Sequence, residues 1–223
     1  MKAKMLGISA SPQKGGKVET LVQEVLSASR LPHEMVRLHE LTLRPCQACN
    51  GCRADNVCVI EDDWGSLRQK ILDSGALVLG GWAFSGMIDS ATKALMERFW
   101  SFRHHRQLTR GKVGAVVVVG NNPELSGNLA DALLQFLRNN GINALGQVTA
   151  AGANPCLGCK DSLNACEFSA VIAQYGLLER MGIGMYNPIE NQLGALKSAR
   201  ILGQRLGHKV QRLGARGTQS DAV

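Results

Sequence analysis

The sequence predicts an α/β fold in which helices cover both faces of a parallel sheet of strand order 2-1-3-4-5. Three observations carry that reading. Strand-like and helix-like segments alternate along most of the chain, the pattern of parallel strands joined by crossover helices. Val113 to Val119 holds five valines in seven residues, and Ala76 to Gly80 has no polar side chain, as strands buried on both faces require. A Gly/Ser/Pro loop, Ser9 to Lys17, separates the first strand from the first helix. Sheets of this kind bind ligands beyond the carboxyl ends of their strands, where the order switches.

The elements follow in order. Lys4 to Ser9 reads as the first strand, and Val18 to Ser29 as a helix with Leu21, Val22, Val25 and Leu26 on one face. Met35 to Leu38 is the second strand, followed by a cysteine-rich loop. Asp62-Asp63 resembles a helix N-cap ahead of Leu67, Ile71 and Leu72. After the third strand, Gly81 to Asp89 reads as a loop into a helix from Ser90 to Phe102. Asn128 to Asn139 is helical and stops at Gly141; Asn143 to Thr149 is the fifth strand. Residues 150–190 read as an irregular, cysteine-containing insertion, and 191–213 as an amphipathic C-terminal helix. The whole, 1–223, is long enough for one sizeable domain.

Apolar residues make up 45% of the chain and aromatics 4%, so the core is expected to be mostly aliphatic. No run approaches the roughly 18 apolar residues of a membrane span. The basic start is broken by Gly7 and by Ser9 to Gly16, so no signal sequence and a cytoplasmic location are expected. The formal charge of +7 concentrates in Arg98 to Lys112 and Lys197 to Arg216. That excess suits solvated helix faces, or a docking surface for an acidic electron carrier such as ferredoxin. Without interleaved aromatic residues in the tail it does not read as a nucleic-acid site.

The seven cysteines fall into two groups. Cys46, Cys49, Cys52 and Cys58 form a C-x2-C-x2-C-x5-C run within thirteen residues. Two-residue spacers let successive sulfurs turn inward, and a longer fourth spacer closes a cage around one small body. Asn50 and Gly51 suit the tight turns required. The spacing is close to compact iron-sulfur runs. A structural zinc is the competing occupant, although zinc sites usually draw two ligand pairs from separated segments. Cys156, Cys159 and Cys166 form a C-x2-C-x6-C group. It reads either as three thiols of no special role or as a second iron-sulfur site whose fourth ligand comes from Asp161, a sister subunit or an added molecule.

The Ser9 to Lys17 loop presents backbone N–H groups at a helix N-terminus, a natural anion site, with Ser9, Ser11 and Thr20 hydroxyls and the Lys14 and Lys17 ammoniums at hand. A plain strand-to-helix turn is the alternative. His104 and His105 fit the favourable place of cations at a helix C-terminus.

Together, the segment Gly7 to Gly16, the cysteine run followed by Asp62-Asp63, and Ala76 to Gly86 with Lys93 and Arg98 beyond it resemble the iron-sulfur flavoprotein branch of the NADPH-dependent FMN reductase family. The resemblance covers roughly residues 4–150. It implies a flavodoxin-like fold, FMN and a 4Fe-4S cluster as cofactors, and a dimer or tetramer. It implies that Ser9, Ser11, Gln13, Lys14, Gly15, Gly16, Lys17 and Val18 hold the flavin phosphate. Gly81, Trp82, Ala83, Phe84, Ser85 and Gly86 would meet the ring, with Gly120 and Asn121 closing the site. The expected activity is electron transfer between cluster and FMN in an oxidoreductase linked to NAD(P)H or ferredoxin. Gln13, Lys17, Val18, Gly81 and Ala83 depart from the family's usual residues. A flavin-less iron-sulfur protein, acting as an electron-transfer partner or assembly factor, is therefore the second reading.

Overall fold

Side chains alternate along a strand, so an apolar strand sends one row to each face of its sheet. In the computed structural model, which describes residues 3–159, 163, 166–180 and 182–220, five strands do this side by side. They are β1 (Met5–Ser9), β2 (His33–Arg37), β3 (Ala76–Phe84), β5 (Val113–Gly120) and β6 (Asn143–Ala151), in the parallel order β2-β1-β3-β5-β6. The two-residue β4 (Met87–Ile88) folds back antiparallel on β3. Apart from that short strand, the order is the expected 2-1-3-4-5 of a flavodoxin-like sheet.

Two cores result. On one face, Val78, Val113 and Val117 pack against α1 (Lys17–Ala28) and α6 (Leu193–Ser220), through Val22, Val25 and Leu26 of α1 and Ala199, Leu202, Leu206 and Val210 of α6. On the other, Ile8, Leu77, Leu79, Val116 and Val118 pack against α2 (Trp64–Asp73), α3 (Ser90–Arg98) and α4 (Pro123–Asn139). Among the described residues no helix is long and apolar enough to cross a membrane.

Several elements differ from the sequence reading. The stretch Gly81 to Asp89 is not a plain loop: β3 runs on to Phe84, and Ser85 (φ 48°) with Gly86 (φ 78°) turns it into β4. Positive φ at both central residues is the two-residue hairpin turn that matches strand twist. Helix α3 stops at Arg98, and Phe99–Phe102 forms a 3-10 turn that buries both phenylalanines. Helix α4 begins at Pro123 rather than Asn128, because Asn122 caps it by accepting a hydrogen bond from Leu125 N–H at 3.1 Å. The 150–190 segment, read as irregular, contains the short helix α5 (Ala170–Tyr175) and a 3-10 turn at Pro155–Gly158, and α6 runs past Leu213. Asp161 lies outside the described residues.

Helix α6 approaches α1 closely because Gly203 and Gly207 have no side chains there. A Cβ at either position would overlap a backbone carbonyl of α1, Val25 at Gly203 and Ser29 at Gly207. Gly203→Ala must therefore push the helices apart and should cost about 1–3 kcal/mol. Gly194→Ala on the same helix meets nothing within 4 Å and should leave stability unchanged or higher. Denaturant midpoints of the two variants check this; equal stability would count against close packing of α1 on α6.

Candidate functional site

The cysteine loop is closed at its base by the aspartates that precede α2. Asp63 Oδ2 accepts from Thr42 N–H at 2.6 Å, and Asp63 N–H donates to Thr42 O at 3.1 Å. Asp62 Oδ2 accepts from Arg44 N–H at 2.9 Å and Oδ1 from Trp64 N–H at 3.0 Å. Arg98, at the end of α3, reaches the same carboxylate with two N–H···O contacts of 2.5 and 3.0 Å and donates to Arg44 O at 2.9 Å. Both side chains are buried, at 0% and 1% exposure. Asp63 occupies the N-cap position but its side chain makes no capping bond; it fastens the loop instead. Arg98 likewise belongs to the loop base and not to the flavin-ring segment, and Lys93 pairs with Glu97 at 2.6 Å.

Within the loop, Ala48, Asn50 and Asn56 adopt left-handed backbone angles (φ 52°, 58° and 62°). Gly51 does not supply the turn; a Cβ there would meet the Val59 side chain at 2.7 Å. Cys46 Sγ accepts from Ala48 N–H at 3.4 Å. Cys52 Sγ lies 3.2 Å from His104 Nε2. Asn56 fixes that neighbour by accepting from His104 N–H at 2.9 Å and donating to Arg106 O at 3.2 Å. His104 thus touches the cysteine loop rather than simply ending a helix. Burial pushes the Cys52 thiol up, as do the neighbouring Cys58, Cys46 and Cys49, against a backbone hydrogen bond that lowers it. Among the described residues no three such groups stand ready at coordinating distance, so a cluster would require the loop to tighten. Four thiols on one clamped loop, with the Ala48 N–H aimed at the Cys46 sulfur, fit an iron-sulfur cluster.

A cavity of about 790 Å³ opens beyond the carboxyl ends of β1, β3, β5 and β6. Pockets of roughly 300–1,000 Å³ are typical of small-molecule and cofactor sites. Ser11, Gln13, Lys17 and Val18 line one side, and the hairpin Trp82, Ala83, Phe84, Ser85 and Gly86 another. Gly120 and Asn121, at and just after the end of β5, line it as well. Ser9 is fully buried in β1, and Lys14, Gly15, Gly16 and Gly81 fall outside the lining. Gly81 faces α3, where a Cβ would meet Ile88 and Thr92. The Gly15 N–H already donates to Glu19, whose carboxylate is held by Arg37 at 2.9 Å. The N-terminus of α1 carries no side-chain cap. Burial lowers the pKa of Lys17 while Glu190 raises it.

Asp89 builds the hairpin side. Its carboxylate accepts from Trp82 N–H at 3.0 Å and caps α3 through Thr92 N–H at 2.7 Å. Trp82 and Phe84 meet edge to face at 5.4 Å, and the buried Trp82 Nε1 has no hydrogen-bond partner. An unpaired buried donor beside a cavity is costly unless a ligand satisfies it.

The sequence did not point to the wall beyond β6, which Gly152, Ala153, Asn154, Leu157, Gly158 and Tyr186 form. Gln192 holds it, accepting from Ala151 N–H at 2.8 Å and donating to Ala151 O at 2.9 Å, while Asn187 donates to Gly152 O at 2.7 Å. Gly152, Pro155 and Gly158 gave a loop signal but no partner.

The sequence profile of the NADPH-dependent FMN reductase family matches residues 3–154. The chain belongs to that family. Three curated relatives are archaeal iron-sulfur flavoproteins. One, from Methanocaldococcus jannaschii, is 35% identical over 120 residues, 52% of this chain and 62% of the relative. Another, from Methanosarcina thermophila, is 29% identical over 53% of this chain and 64% of the relative. A third, from Archaeoglobus fulgidus, is 25% identical over 77% and 79%. The chain is similar to these iron-sulfur flavoproteins, and it spans less than two thirds of the length of the first two. In overall fold it resembles RosB with bound 8-demethyl-8-formylriboflavin-5'-phosphate (TM-score 0.67, 13% identity, 99% and 88% of the two chains). It also resembles an FMN-dependent NADH-azoreductase from Bacillus anthracis in complex with FMN (TM-score 0.56, 14% identity, 92% and 99%).

The clamp makes a sharp expectation. Asp62→Asn leaves Arg98 buried without its counter-charge and should cost about 3–5 kcal/mol. Burial raises the Asp62 carboxyl, but Arg98 and the N–H groups of Arg44 and Trp64 outweigh it, so its pKa lies below the usual value. The pair's contribution is therefore present above about pH 4 and fades as pH falls through the lowered folded value. Unfolding at pH 7 and below pH 4 checks this; a gap between wild type and variant that does not narrow in acid would contradict it.

Proposed function

We propose that the chain is an iron-sulfur flavoprotein oxidoreductase that holds FMN in the strand-end cavity and a 4Fe-4S cluster on Cys46, Cys49, Cys52 and Cys58. The observation that carries the flavin half is the cavity itself. It joins an uncapped helix N-terminus and the Lys17 ammonium to an aromatic hairpin whose Trp82 Nε1 lacks a partner. An anion at one end and a flat, hydrogen-bonding ring at the other match that lining. Family membership and the archaeal relatives support the same reading.

When bound, FMN supplies one- or two-electron chemistry and the cluster one-electron chemistry. The protein's own residues bind and orient. Ser11, Gln13 and Lys17 face the phosphate end. Asp89 fixes the backbone of Trp82, and Gly120 lets Ala83 approach β5, where a Cβ would sit 2.7 Å from that of Ala83. The Asp62–Arg98 clamp and His104 set the cysteine loop. The excess of basic side chains suits an acidic electron carrier such as ferredoxin as partner, and the donor is that carrier or NAD(P)H.

Protein purified without oxygen should be brown, carry about four irons per chain and release FMN on denaturation. Colourless protein containing zinc would overturn the cluster assignment. No detectable FMN binding would favour the flavin-less reading, to which Gln13, Val18 and the Glu19-occupied Gly15 N–H lend themselves. Lys17→Ala should remove a charge-assisted contact of about 1.5–3 kcal/mol, weakening FMN by roughly one to two decades. Flavin fluorescence titration reads that change; an unaltered affinity would take Lys17 out of the site.

A further inference from the structure

We infer that Cys156 and Cys159 form a dithiol–disulfide pair that exchanges two electrons with the flavin held in the adjacent cavity. The inference rests on the flavin reading above and adds a redox centre to it.

The placement comes from the turn Pro155–Gly158. Asn154 starts it, accepting from Cys156 N–H at 3.0 Å. Cys159 ends it, donating its N–H to Cys156 O at 3.0 Å. A turn closed by an i to i+3 hydrogen bond keeps its end Cα atoms within about 7 Å. Disulfides join Cα atoms about 4.4–6.8 Å apart. Cys159 follows the 3-10 turn directly, as its C-cap, with extended backbone angles (φ -94°, ψ 130°). The two residues between them, Leu157 and Gly158, line the cavity. Cys156 is half-buried and Cys159 exposed, so the pair joins the cavity wall to solvent.

The wall is held firmly enough to keep that relation. Tyr186 donates its hydroxyl to Leu157 O at 3.4 Å, and Asn187 ties the wall's start, Gly152, to the C-terminal side. The first cysteine loop stands at the opposite edge of the sheet, after β2, so the two groups serve different places. Cys166 follows outside the turn, and a cubane on this side would still lack a fourth thiolate.

The chemistry balances with the flavin alone. Oxidation joins the two sulfurs in an S–S bond and gives up two electrons and two protons, which an oxidised flavin takes to become reduced flavin. In reverse, reduced flavin returns two electrons and two protons, and the S–S bond breaks into two thiols. Reducing equivalents from the flavin could thus leave through the exposed Cys159 to a disulfide substrate or partner by thiol–disulfide exchange.

The test uses the full chain with its iron and FMN contents measured first. The protein is treated with a small disulfide oxidant, its remaining thiols are alkylated, and peptides are read by mass. The expected product links Cys156 to Cys159. The oxidised protein is then titrated with reductant under argon. Wild type should take up about two more electrons per chain than Cys159→Ser. Alkylation after the titration should recover both thiols only when FMN is bound. Failure to form the link, or a link that survives full bleaching of bound flavin, would overturn the inference while leaving the flavin site standing. Absence of FMN binding would instead overturn the flavin reading and the inference with it. About eight irons per chain, halved in Cys159→Ser, would replace the dithiol with a second iron-sulfur cluster.

Discussion

The buried ion pair between Asp62 and Arg98 is the joint on which the two halves of the site depend. A carboxylate and a guanidinium removed from water gain little net stability together, yet neither can be left alone. The pair therefore acts as a constraint. It fixes the base of the cysteine loop, through Arg44 and Trp64, to the far end of α3. The near end of the same helix starts at Asp89, which also holds Trp82 in the cavity wall. Helix α3 has nine residues, so its rise of ~1.5 Å each makes it about 13 Å long. One short rigid rod thus sets the spacing between the thiol loop and the aromatic hairpin. His104, just past that rod, completes the connection through its contact with Cys52.

Much of the fold was legible because the sheet is buried on both faces. Continuous apolar runs such as Val113 to Val119 leave no other interpretation, and their alternation with helical periods fixes the topology. The signals that were present but unread are local ones. Asn122 followed by Pro123 is a cap and a first-turn proline, and it starts α4 at Pro123 rather than Asn128. Ser85-Gly86 is a hairpin turn hidden in a segment taken as loop.

The site was legible only in part, for a different reason. Cysteine spacing and the Gly/Ser loop are written within one short stretch. The partners that position them are not. Asp62 meets Arg98 across 36 residues, and Asn56 meets His104 across 48. Nothing in either short segment names the other. Asp62-Asp63 had the local look of a helix cap; Asp62 accepts from the first N–H of α2, and both carboxylates also fasten the loop. Gly51 likewise looked like a turn residue, while its lack of a side chain makes room for Val59.

The opposite edges of the sheet explain the rest. β2 and β6 are the outer strands, and an outer strand leaves backbone groups that need partners. At the end of β6, the side-chain amide of Gln192 answers both the N–H and the C=O of Ala151, as another strand would. That substitution ends the ladder and turns the following residues back over the strand ends. The segment so returned is the one that closes the cavity and carries Cys156 and Cys159. The same hydrogen bonds that protect an exposed edge therefore bring the turn carrying two thiols beside the cavity, while the first cysteine group lies beyond the other edge and is tied to the cavity's hairpin through α3.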